Sequence, residues 1–120
     1  IETVNLLIVD DDPFSLEMWK KSFPNYKFSQ VNDPEKFLLL LNKSGNFLDS
    51  HACVIVDYHF SGSALTGLDI VRAIKTSKPD QLVFISSYNP DGLPVELNKW
   101  ADGIMSKEPR SWEELRDALA

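Results

Sequence analysis

Three consecutive carboxylates, Asp10, Asp11 and Asp12, follow directly on the apolar run Leu6-Leu7-Ile8-Val9, and Pro13 comes next. A short apolar run bounded by a turn signal reads as a strand buried on both faces. In an open α/β sheet, ligands sit just beyond the carboxyl ends of such strands. Like charges packed at that spot cost stability unless a cation neutralises them. The chemistry this suggests is a hard divalent ion held through oxygen. The plainer reading is that one Asp caps the next helix and the others are solvated.

Further polar residues stand at the ends of other apolar runs. Asp57 follows Ala52-Cys53-Val54-Ile55-Val56, Ser86 follows Leu82-Val83-Phe84-Ile85, and Lys107 follows Ile104-Met105-Ser106. If these runs are neighbouring strands, the side chains meet at one edge of the sheet. Asp10, Asp11 and Asp57 can then hold one ion, with waters completing its shell. Lys107 is placed to neutralise an incoming anion, and Ser86 offers a hydroxyl to a phosphoryl group. A carboxylate in that setting can attack phosphorus and form an acyl phosphate. Each residue alone is ordinary; their joint appearance at four strand ends carries the argument.

The elements that must position them can be read in order. Residues 4–9 form a first strand. Asp12 is read as a helix cap with Pro13 at the first helical position. That helix runs to about residue 23, with Leu16, Trp19 and Phe23 on one face. Residues 26–31 are a second strand. Asp33-Pro34 repeats the cap-plus-proline signal and opens a helix to about residue 43, with Phe37, Leu38, Leu40 and Leu41 as its apolar face and Ser44-Gly45-Asn46 as its stop. Residues 52–56 are a third strand, followed by a long Ser- and Gly-containing loop over 58–66. A helix over 67–77 turns Leu68, Val71 and Ile74 inward. Residues 82–85 are a fourth strand, and Asn89-Pro90-Asp91-Gly92 marks a turn. A short helix is expected over 94–100 and a fifth strand over 104–106. Ser111, with Glu114 three residues on, signals the capping box of a last helix. Strands alternating with helices predict a parallel sheet covered on both faces.

Composition narrows the function classes. The 120 residues suit one domain, 1–120, with its own core. A net charge of −6 argues against nucleic acid or an anionic membrane surface as a direct partner. The one cysteine, Cys53, lies within an apolar run and reads as a small buried hydrophobe. This usage suits a reducing, cytoplasmic setting. No stretch is long and apolar enough for a membrane span. His59 reads as a loop residue, and His51 receives no role. Trp19, Trp100 and Trp112 read as packing or interface residues, since no basic pattern interleaves them.

Val9-Asp10-Asp11, Val56-Asp57, Ile85-Ser86-Ser87 and Ala101-Asp102-Gly103 leading to Lys107 together resemble the receiver domain of two-component response regulators, over essentially the whole chain. The resemblance implies a doubly wound, flavodoxin-like (βα)5 fold with a five-stranded parallel sheet in the order 2-1-3-4-5. It implies that Asp57 accepts a phosphoryl group from a phosphohistidine, with Lys107 and Ser86 assisting. It implies Mg²⁺, with Mn²⁺ an acceptable substitute, bound by Asp11 and Asp57 directly, by Asp10 mostly through water, and by the backbone carbonyl of His59. The implied partners are a sensor histidine kinase or a histidine phosphotransfer domain upstream, and a downstream protein or attached effector domain. The activity is then that of a signalling switch, not of an enzyme acting on a metabolite.

The chain departs from the pattern in places. Phe60-Ser61 replaces the usual Met-Pro, and Gly67 comes about two residues late, lengthening the loop. Ile104 stands where an aromatic switch residue is usual, and Glu108 intervenes between Lys107 and Pro109. Tyr88 is placed either to shield the phosphoryl group or to lie exposed. Competing readings are a phosphorylation-independent receiver-like binding module, a haloacid-dehalogenase-type phosphohydrolase using Asp10 of its Asp-x-Asp, and a flavin-binding module. In the last, three carboxylates would repel the cofactor phosphate.

Overall fold

The computed structural model describes residues 4–44, 46–108 and 112–120. Five strands, β1 (Asn5–Val9), β2 (Lys27–Val31), β3 (Cys53–Asp57), β4 (Leu82–Ser87) and β5 (Gly103–Ser106), form one sheet in the order β2-β1-β3-β4-β5. Every neighbouring pair is parallel. The helices are α1 (Ser15–Ser22), α2 (Pro34–Lys43), α3 (Gly67–Ser77) and α4 (Glu113–Leu119). The parallel sheet covered on both faces, expected from the alternation, is observed, and its strand order is the doubly wound one that the resemblance implies.

Strand alternation divides the core into two layers. Leu6, Ile8, Cys53, Ile55, Phe84 and Met105 face one side, where Trp19 of α1 and Leu115 of α4 cover them. Leu7, Val9, Val54, Val56, Val83 and Ile85 face the other, against Phe37 and Leu41 of α2 and Ile70, Val71 and Ile74 of α3. The first layer is closed by stacked aromatics: Trp19 and Trp112 have ring centroids 3.7 Å apart. The Trp112 indole N–H donates to the Ser106 carbonyl at 2.8 Å, which ties the start of the last helix to the end of β5. Truncating either Trp to Ala costs about 3–5 kcal/mol for a buried aromatic of this size.

Local signals set the helix ends in some places and not in others. Asp33 caps α2 as its sequence suggests, its Oδ1 accepting the N–H groups of Glu35 and Lys36 at 2.9 and 3.4 Å. Asp12 does not cap α1. Its Oδ1 accepts the Phe14 N–H at 2.9 Å, a local turn, and the helix begins only at Ser15. For α3, Asp69 reaches back to the Thr66 N–H at 2.9 Å, an N-terminal bond that the reading above did not identify. The short helix expected over 94–100 forms as a 3₁₀ helix, Val95–Lys99, preceded by a 3₁₀ turn at Pro90–Gly92, and no α-helix joins β4 to β5. Leu97 alone of the Val95–Lys99 helix is buried, too small an apolar face to hold an α-helix. The Ser111 cap and Gly45 lie outside the described residues.

Candidate functional site

The sheet geometry brings the strand-end residues together. Asp57 stands level with Ser86 across the β3–β4 pairing. Asp10 follows Val9 of β1, and Lys107 follows Ser106 of β5. Alternation places Asp10, Asp57, Ser86 and Lys107 at the ends of the rows that begin with Ile8, Ile55, Phe84 and Met105. All four are buried, yet they sit at the carboxyl edge of the sheet, where no strand continues.

Lys107 Nζ lies 3.1 Å from Asp10 Oδ2 and 3.2 Å from Asp57 Oδ1. Asp10 is held more fully: Oδ1 accepts the Asp12 N–H at 2.9 Å, and Oδ2 also accepts the Ser15 hydroxyl at 2.7 Å. Asp11 is held from the side of the 58–66 loop, its Oδ2 accepting the backbone N–H of Ser61 at 2.8 Å. Gln30 on β2 fixes the backbone between them, its Nε2 donating to the carbonyls of Asp10 at 2.7 Å and Asp12 at 3.1 Å.

Electrostatics follow from this crowding. Burial, and then the Asp10 charge, push the Asp57 carboxyl up from 3.8 to about 7, while Lys107 opposes them. Burial works against the Lys107 ammonium, but Asp10 and Asp57 outweigh it and hold the group above its ordinary value. Asp10, Asp11 and Asp57 each offer one carboxylate oxygen within 4.8 Å of the others. Three carboxylates against one ammonium leave a negative excess, and their hard oxygens suit Mg²⁺ or Mn²⁺. The donor set therefore fits a divalent ion.

Asp11, Asp57 and Lys107 line a cleft of about 190 Å³ together with Asp12, His59, Ser87 and Tyr88. That volume admits an ion and a phosphoryl group; ligand pockets for drug-sized molecules run to about 300–1,000 Å³. The Tyr88 side chain is exposed, with Lys107 Nζ 4.8 Å from its ring centroid. His59 is exposed at the mouth, its ring edge-on to Tyr58. The 58–66 loop is more built than its composition suggests. Tyr58 and Phe60 are buried, and His59 pairs with Thr66 in an antiparallel bridge.

Gly67 shows why a glycine follows this loop. A Cβ there would lie 2.7 Å from the Asp57 carbonyl oxygen and 2.9 Å from Tyr58 Cα. The start of α3 is thus pressed against the backbone of the central carboxylate. His51 packs near Phe47 and the Ser29 and Ser50 hydroxyls, away from the cleft. Cys53 is buried, and burial pushes its thiol far above its ordinary value, so it is inert.

Sequence reasoning missed three supports. Ser15 lies in the first turn of α1, and no spacing rule links it to Asp10. Gln30 is a polar residue in a short edge strand, where polarity is unremarkable. Ser61 acts through its backbone N–H, which any residue except proline has.

No family model matches the chain, and no curated protein matches it. Solved structures do. A receiver domain described as CheY-like from Methylobacillus flagellatus superposes with a TM-score of 0.77 at 17% identity, over 99% of this chain and 100% of that one. The response regulator protein TrrA from Thermotoga maritima, in complex with Mg(2+)-BeF, gives 0.71 at 21% identity over 98% and 96%. The chemotaxis response regulator CheY4 of Vibrio cholerae gives 0.74 at 17% identity over 98% and 100%. Among the described residues no helix is long and apolar enough to cross a membrane. The strand order, the two covering layers and these superpositions agree that the chain has the fold of response regulator receiver domains.

Proposed function

We propose that the chain is a phosphoacceptor receiver domain in which Asp57 takes a phosphoryl group from a phosphohistidine and thereby switches a protein-interaction surface. The observation that carries this reading is the single ammonium of Lys107 bridging Asp10 and Asp57 at the mouth of a phosphoryl-sized cleft. One oxygen of Asp57 forms the new O–P bond as the N–P bond of the donor breaks, and the imidazole nitrogen keeps the electron pair. Lys107 stays protonated and pairs with a phosphoryl oxygen. Ser86, level with Asp57, supplies a hydroxyl to another. Mg²⁺ or Mn²⁺, when bound, neutralises the carboxylates and the phosphoryl oxygens. Asp11 and Asp57 would hold it directly, Asp10 through water, and the His59 carbonyl would add a ligand.

Support also comes from neighbours whose structures are described as a Mg(2+)-BeF complex and as a BeF3-activated receiver. The upstream partner is a sensor histidine kinase or histidine phosphotransfer domain, and the downstream one a separate protein or an attached effector domain. The chain is a switch that catalyses only its own phosphorylation and dephosphorylation. The phosphohydrolase reading is disfavoured because Asp10 is buried with both oxygens already hydrogen-bonded, a poor state for a nucleophile.

The deciding experiment is incubation with acetyl phosphate or phosphoramidate and Mg²⁺, followed by intact mass. One phosphoryl group should appear on the wild type and none on a folded Asp57→Asn variant. Full labelling of that variant, or label on Asp10, would refute the assignment.

A further inference from the structure

We propose that the Ser61 backbone N–H is a positioning group for the divalent ion: it holds Asp11 in its ligating orientation, and the ion in turn fastens the 58–66 loop. The inference rests on the ion-binding reading above.

Asp10 is fixed by Asp12, Ser15 and Lys107, and Asp57 by Lys107. Among the described residues, Asp11 has one side-chain hydrogen bond, the 2.8 Å bond from Ser61. An ionised carboxylate has about four acceptor positions on two oxygens, so the N–H occupies one and leaves the others for an ion. A hydrogen bond of this kind fixes the orientation of a ligating group; losing one typically costs about 10–100-fold in metal affinity.

Ser61 is displayed by an anchored frame, not by a loose tip. The preceding Phe60 is only 6% exposed and belongs to the core layer between the sheet, α2 and α3. The neck of the loop is closed by the His59–Thr66 bridge and by the Gly67 N–H donating to the Tyr58 carbonyl at 2.9 Å. Beyond Ser61 the chain turns at Gly62, whose φ of 73° suits glycine. The Ser63 hydroxyl then donates to Glu35 on the first turn of α2 at 2.5 Å. The loop therefore runs from the central strand, past Asp11, to a second helix. The Phe60-Ser61 pair is what makes the bond available, since a proline at position 61 has no N–H to give. Because the coupling is reciprocal, an ion that favours this orientation of Asp11 strengthens the Ser61 bond by the same factor.

The test compares wild type, Ser61→Ala and Ser61→Pro by calorimetric titration with Mg²⁺ or Mn²⁺. Ser61→Ala keeps the N–H and should bind as the wild type does. Ser61→Pro should bind about 10-fold more weakly, at the lower end of the range for such bonds. Equal affinity in the proline variant overturns the inference. Amide exchange on the wild type guards against a proline that merely distorts the loop: the Ser61 N–H should exchange more slowly with Mg²⁺ than without. An unchanged or faster rate overturns the inference as well. A wild type that binds no divalent ion overturns both this inference and the ion-binding part of the phosphoacceptor reading, whereas wild-type binding with an unaffected proline variant overturns this inference alone.

Discussion

The Lys107 ammonium reaches across from the end of β5 to bridge Asp10 and Asp57, 3.1 and 3.2 Å away, so one cation serves two buried carboxylates from different strands. A divalent ion at the same carboxylates would share their charge with that ammonium. In the proposed function Lys107 would be both a helper to the phosphoryl group and a competitor of the ion.

Lys107→Met separates the two roles. Removing a positive charge beside three carboxylates should tighten Mg²⁺ binding several-fold, while acyl-phosphate formation falls at least about tenfold for loss of a charge-assisted contact of about 1.5–3 kcal/mol. Calorimetry and intact mass measure the two effects. Weaker ion binding in the variant would show that Lys107 supports the site instead of competing with it.

The raised Asp57 carboxyl predicts a pH dependence of the metal-free protein. Its pKa is 3.8 ordinarily and about 7 when folded, so between those values the folded state binds the extra proton. Stability from this group therefore falls as pH rises through that window, and the penalty is complete above about pH 7. Asp57→Asn should melt higher than the metal-free wild type at neutral to mildly alkaline pH, with the difference shrinking toward the acid end. Mg²⁺ should raise the melting temperature of the wild type more than that of the variant. A wild type that gains stability across this window relative to Asp57→Asn contradicts the assignment.

Phosphorylation should be read out between β4 and β5. Ser86 and Lys107 are the donors at the two ends of that stretch, and Ile104 offers no aromatic ring to swing. The intervening 3₁₀ turns have little buried apolar area, the kind of segment a small bias can shift. Arg72 of α3 pairs with Glu96 and lies over the Trp100 ring, which pins the stretch to the body of the domain. With beryllofluoride bound, amide protection should change more over 86–107 than over 13–43, and Arg72→Ala should enlarge the change. A change confined to 58–66 would identify the loop as the output surface instead.

Gly67→Ala tests the seating of the central carboxylate. The added methyl would meet the Asp57 carbonyl oxygen at 2.7 Å, a backbone atom that cannot rotate away. Overpacking of this kind costs about 1–3 kcal/mol, read as a lower denaturation midpoint. Phosphoryl acceptance should fall with it, because Asp57 must shift. An alanine variant with wild-type stability would mean that α3 moves freely relative to β3.

The alternation of apolar runs with amphipathic segments determined the fold class, because a strand buried on both faces and a helix with one apolar stripe leave few ways to pack. The strand ends Asp10, Asp11, Asp57, Ser86 and Lys107 were legible for the same reason: each follows a run that stops at a polar residue. Local chemistry gave Asp33 as a cap, since its bonds reach only two and three residues along the chain. It misassigned Asp12, whose carboxylate accepts the Phe14 N–H in a local turn ahead of the helix. The short helix read over 94–100 is there as a 3₁₀ helix, since a single buried leucine gives an α-helix too little to pack. Only the tertiary structure decided which groups hold the carboxylates and the backbone that carries them. Ser15, Gln30 and the Ser61 N–H come from α1, the edge strand and the long loop. Their distance from Asp10 and Asp11 is set by packing across the sheet, and no residue spacing records it.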